Sequence, residues 1–89
     1  MANEEPCYSA VADEQLDELE SSGDPDLYND LVKVCETILD NPGWARERSA
    51  AITTRNGIRF RYAVPGREPY KVFWSSDGPR IEAVFPYPT

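Results

Sequence analysis

The sequence predicts an α+β fold, in which a short N-terminal strand and a two-helix hairpin pack on a twisted, mainly antiparallel sheet of about four strands. Three observations carry that expectation. In the first half, Leu31, Val34, Cys35, Ile38 and Leu39 stand 4, 7, 8, 11 and 12 residues after Leu27, the spacing of one buried helical stripe. After Trp44 the apolar period falls to two, which is the period of strands. Turn signals at Asn56-Gly57, Pro65-Gly66 and Asp77-Gly78-Pro79 then cut the second half into strand-length pieces. With 89 residues there is enough apolar material for one core, so residues 1–89 form a single domain, with residues 1–5 and 88–89 expected to fray.

Each element has its own warrant. Pro6 to Ala10, followed by Val11, offers Cys7, Tyr8 and Val11 as apolar contacts and suits a first strand. Ala12 to Glu20 reads as helix, with Ala12, Leu16 and Leu19 on one face and acids on the rest, stopped by Ser21-Ser22-Gly23. The second helix is better marked: Asp24 is a good N-cap, Pro25 fits the first helical position, and Asp26 favours the positive end of the dipole. Asn41-Pro42-Gly43 is expected to end it. Strands follow at Ser49–Thr54, Ile58–Val64, Tyr70–Ser75 and Arg80–Phe85, an antiparallel meander.

Charge divides the chain in two. Residues 1–40 hold twelve Asp and Glu against the single Lys33, a local charge of −11, whereas residues 41–89 carry +4, giving −7 overall. Net acidity argues against an anionic partner, yet the basic half can still present one positive face to it. No apolar run approaches the roughly 20 residues that span a bilayer, and the start Met1-Ala2-Asn3-Glu4-Glu5 lacks a signal peptide's basic region and apolar stretch. The expected compartment is the cytoplasm, with no membrane partner. Cys7 and Cys35 are then expected as two reduced, buried thiols. There is no histidine, which removes the usual general base near neutral pH, and two cysteines fall short of a zinc set, so no metal or cofactor is expected.

Alternation assigns faces. In the strand after Asn56-Gly57, burial selects Ile58, Phe60, Tyr62 and Val64 for the core and leaves Arg59, Arg61 and Ala63 opposite. The same reasoning sets Tyr70, Val72 and Trp74 against Lys71, Phe73 and Ser75, and Ile81, Ala83 and Phe85 against Arg80, Glu82 and Val84. With the hairpin on the Ile58 face, the other side displays Arg59, Arg61, Lys71 and Phe73, a mixture suited to phosphate and stacked bases. The plainer alternative is an ordinary solvated side of the sheet, with Lys71 and Glu82 paired across strands, or with Arg59 and Arg61 bound to the chain's own acidic helices. Trp74 is expected in the core, while Trp44 suits either the core or an interface.

Three segments carry a resemblance: Tyr8-Ser9-Ala10-Val11-Ala12 before Leu16 and Leu19, Leu39-Asp40-Asn41-Pro42 at the end of the second helix, and Asn56-Gly57-Ile58-Arg59-Phe60-Arg61-Tyr62-Ala63-Val64. In order and content the chain resembles the RelE/ParE superfamily of toxin–antitoxin toxins over nearly its whole length. The last segment looks like the family's central strand, opened by an Arg with a Tyr three positions on. The resemblance implies a type II toxin neutralised by a cognate antitoxin. It would act as a ribosome-dependent mRNA endoribonuclease, with ribosome and mRNA as partners, or on a protein target such as DNA gyrase. Fold alone does not choose between these. For RNA cleavage it implies Arg59, Arg80 and Tyr87 as catalytic residues, with Arg61, Lys71 and Phe73 as RNA or phosphate contacts and Glu82 as the one carboxylate on that face to act as base. The chain departs from the family's frequent His-Arg pair, having Asp77-Gly78-Pro79-Arg80 there, and its −7 charge is unlike a ribosome-binding nuclease. The other reading is a non-catalytic interaction module that keeps the fold, with Trp44, Trp74, Phe85 and Tyr87 as aromatic anchors.

Overall fold

The computed structural model describes residues 7–55, 57–76 and 78–87. The ends expected to fray, and the turn residues Asn56 and Asp77, lie outside that set. Helices α1 (Ala10–Glu20), α2 (Pro25–Asp40) and α3 (Pro42–Glu47) precede strands β1 (Ala50–Thr54), β2 (Gly57–Ala63), β3 (Tyr70–Ser75) and β4 (Arg80–Pro86). The strands form one antiparallel sheet in the order β1-β2-β3-β4. No helix among the described residues is long and apolar enough to cross a membrane.

The helices begin where side chains can take up free N–H groups. Ser9 caps α1, its Oγ accepting from Ala12 N at 3.0 Å, and Asp24 caps α2, accepting from Leu27 N at 3.1 Å with Pro25 next in line. The sequence does not mark Ser9 as a cap, because Cys7, Tyr8 and Val11 around it suit a strand. The expected first strand is instead a single parallel bridge between Tyr8 and Ile81, and Val11 lies in α1, 54% exposed. Asn41-Pro42-Gly43 does end α2, but Pro42 also occupies the first turn of α3, a position that wants no N–H donor. A proline read only as a stop is thus also a start.

All three helices lie on the face of the sheet that carries Val72 and Trp74. There Ala12, Leu16, Leu31, Cys35, Ile38, Ala45, Val64, Val72, Trp74, Ile81 and Val84 make one buried cluster. Trp74 has no exposed surface, and its indole Nε1 donates to Ser49 Oγ at 3.1 Å, so its polar edge is satisfied inside the core. The helix layer is centred on β3 and β4 rather than on the whole sheet. That offset corrects one expectation: Ile58, assigned to the core, is 57% exposed, and Phe60 and Tyr62 are only partly covered. The turn after β2 is joined to α2 by Arg67, whose Nε donates to Asp30 Oδ2 at 2.9 Å.

The cysteines divide. Cys35 is buried and Cys7 is exposed, contrary to the expectation of two buried thiols, because Cys7 lies on the sheet margin, where its carbonyl accepts from Ile81 N. Burial, reinforced by the charge of Glu36, pushes the Cys35 thiol up to about 12. The unfolded chain ionises this thiol at its ordinary value and the folded chain resists, so stability is retained below about pH 9 and declines as pH rises towards 12. Denaturation midpoints measured against pH should show that decline, and Cys35→Ala should remove its steepest part. Trp74→Ala should cost about 3–5 kcal/mol in chemical denaturation, whereas Val11→Asp, exposed in the first turn of a helix, should change stability by less than about 0.5 kcal/mol.

Candidate binding site on the outer sheet face

Alternation along β2 sends Arg59 and Arg61 away from the helices, and on β3 it does the same for Lys71, Phe73 and Ser75. The pairing of β3 with β4 then breaks step. Phe73 faces Ala83, but Trp74 faces Ile81, so Glu82 is an extra residue in β4. A bulge of this kind turns two successive side chains towards one side. Downstream the phase is inverted: Val84 enters the core, while Ala83 and Phe85, expected inside, lie outside. Phe85 stacks on Phe73 with ring centroids 4.8 Å apart and planes 11° apart.

The six side chains expected to form the site all lie on this face, in two groups. In the first, Arg59 and Arg80 converge on Glu82, their Nε atoms 4.0 Å from Oε2 and Oε1 respectively, and Ser75 Oγ donates to Oε2 at 2.9 Å. Arg80 Nε is itself shielded from solvent and has no hydrogen-bond partner. Glu82 is therefore held between two cations and a hydroxyl.

In the second group, Tyr87 stands edge-on to Phe73 at 5.5 Å and to Phe85 at 6.1 Å, and the Arg61 guanidinium carbon is 5.3 Å from the Tyr87 ring centroid. Lys71 is buried beneath this group, its Nζ donating to Pro69 O at 3.3 Å and Tyr87 O at 3.1 Å, while Tyr87 N donates to Pro69 O at 2.9 Å. Lys71 thus fastens the chain after β4 to the turn before β3. Where its sequence position suggests a phosphate contact, its Nζ is engaged with two carbonyls, and it does not pair with Glu82.

Arg80 and Tyr87 lie at opposite ends of β4, separated by roughly 20 Å at the strand rise of about 3.3 Å per residue. The structure brings Arg59 to Arg80 and Arg61 to Tyr87, but it does not bring all three expected catalytic residues to one point. Nor do Arg59 and Arg61 bind the acidic helices, which lie behind the sheet. The sequence does not single out Ser75, which reads as an ordinary strand residue, and although it offers Phe85 as an aromatic anchor, unbroken alternation places that ring in the core rather than on this face. Trp44 lies elsewhere, 41% exposed on α3, with the Arg48 guanidinium 4.2 Å from its ring centroid.

A separate open cleft of about 390 Å³ lies between α1 and β4, lined by Gln15, Glu18, Leu19, Ser22, Tyr70 and Val84 among others, and includes none of the six. Compared with protein-family models, with curated proteins and with solved structures, the chain matches none.

Lys71→Met should remove both contacts to the Pro69 and Tyr87 carbonyls and cost about 1.5–3 kcal/mol, since hydrogen bonds from a charged donor are the stronger kind. Urea titration gives the cost, and the near-ultraviolet signal of the Phe73, Phe85 and Tyr87 group should change with it.

Proposed function

We propose that the chain is a RelE/ParE-like toxin-type protein that acts by binding a protein target through the outer sheet face rather than by cleaving mRNA. One observation carries the choice: Arg59 and Arg80 are engaged with Glu82 at one end of β4, while Tyr87 is fastened with Lys71 at the other. Cleavage through a 2′-hydroxyl needs phosphate binding, charge stabilisation and proton transfer at one locus. Binding needs only a broad face with aromatic anchors and charges, which Phe73, Phe85, Tyr87, Arg59 and Arg61 supply. The overall charge of −7 agrees, because long-range repulsion would oppose approach to ribosomal RNA.

Support for the toxin type is the element order. A bridge from the N-terminal segment to the last strand, a helical hairpin and an antiparallel meander is the order that the resemblance implies. A protein such as DNA gyrase is the target class on this reading, and a cognate antitoxin would cover the same face.

Induced expression in a bacterial host tests this. The expected result is growth arrest with mRNA left intact in primer-extension assays, relieved by Arg61→Ala with Phe73→Ala. Arrest accompanied by mRNA cleavage would restore the nuclease assignment. Absence of arrest from folded wild-type protein would leave the fold-retaining interaction module, for which the exposed Trp44 is the favouring feature.

A further inference from the structure

The two edges of the sheet are treated differently. Along β4, Ile81 N donates to Cys7 O and Ser9 N donates to Ile81 O, both at 2.8 Å; Ser9 Oγ donates to Glu82 O and Val84 N donates to Gln15 Oε1, both at 2.6 Å. Pro86, which has no N–H, ends the strand. That edge is closed by backbone and side chains of the same molecule. β1, at the other margin, pairs with β2, and among the described residues no strand pairs with the outer edge of residues 50–53. A strand with one neighbour directs alternate N–H and C=O groups outward, a template for another strand. The usual defences of an open edge are charge, proline or a bulge, and Ala50-Ala51-Ile52-Thr53-Thr54 has none of them.

We propose that β1 pairs antiparallel with β1 of a second copy of this chain, about a two-fold axis at Ile52, making a continuous eight-stranded sheet. Four features select a second copy over another protein's strand. Around that axis Ala51 faces the partner's Thr53, Ala50 faces its Thr54, and Ile52 meets its own copy, so small residues face β-branched ones and no like charges are opposed. The acidic helices pack over β3 and β4, away from the joint, so the −11 of residues 1–40 is carried at the two ends of the dimer. Arg59 of one copy lies three strand spacings from its counterpart, roughly 14 Å, beyond the Debye length of about 8 Å at physiological salt. On the helix side, the pairing of Thr53 with Ile58 and of Ala51 with Phe60 makes one apolar row across the joint, running from Ile58 of one copy to Phe60 of the other.

This proposal does not depend on the functional reading above. Sedimentation equilibrium of the full chain should give twice the monomer mass of 10.1 kDa. Ile52→Lys and Ile52→Glu should each sediment as a folded monomer by circular dichroism, and an equimolar mixture should recover the dimer mass, because Lys then faces Glu. Thr53→Pro, which inserts a ring into the edge, should also abolish the dimer. A wild-type monomer at every soluble concentration overturns the proposal, whether or not some other protein's strand later occupies the edge. So does a dimer that persists in both folded Ile52→Lys and folded Thr53→Pro.

Discussion

The bulge at Glu82 decides what each side of the last strand does. Without it, strict alternation would put Ala83 and Phe85 against the helices and Val84 in solvent, and the core would lose the Val72–Val84 contact layer. With it, Ile81 and Val84 both enter the core, spaced by three rather than two, and Ala83 joins Glu82 on the outer face, where Ser75, Arg59 and Arg80 meet the Glu82 carboxylate. One inserted residue thereby supplies the core with a second aliphatic side chain and the aromatic stack with Phe85.

Helix legibility followed from local chemistry. The Asp24-Pro25 start and the apolar stripe of α2 are short-range features, readable one turn at a time, and the meander was readable because its turns carry Gly and Pro where the backbone reverses. What escaped the sequence was long-range. The bulge arises from how β4 meets β3, the exposure of Ile58 from how far the helix layer extends, and the burial of Lys71 from the path of the chain after Pro86. Residue types on the outer face were foreseeable from period two, since Arg59, Arg61, Lys71 and Phe73 do share it. Their grouping was not, because distance along β4 separates Arg80 from Tyr87, whatever their chemistry.

The division of charge along the chain maps onto the two layers. Acid covers the helices behind β3 and β4, and base is concentrated in and around the sheet, with Arg67 and Asp30 as an ion pair that crosses between them. On the outer face much of the positive charge is already committed: Arg59 and Arg80 to a carboxylate, Lys71 to two carbonyls. Arg61, over Tyr87, is the cation of that face tied to an aromatic ring rather than to an oxygen. A partner would therefore meet a surface of aromatic edges with moderated charge, closer in character to a protein interface than to a phosphate cradle.

Ser9 joins the beginning of this architecture to its end. Its hydroxyl accepts from Ala12 N to start α1 and donates to the carbonyl of Glu82 in the bulge, and its backbone N–H reaches Ile81 O. The donor half of that arrangement spans 73 residues of chain, so it cannot form until β4 exists. During synthesis the first helix emerges well before the strand that completes its anchorage, and until then its apolar stripe has no sheet edge to rest on. The start of α1 is therefore completed by a loop closure of 73 residues, and this joint waits for β4 to be synthesised before it can form.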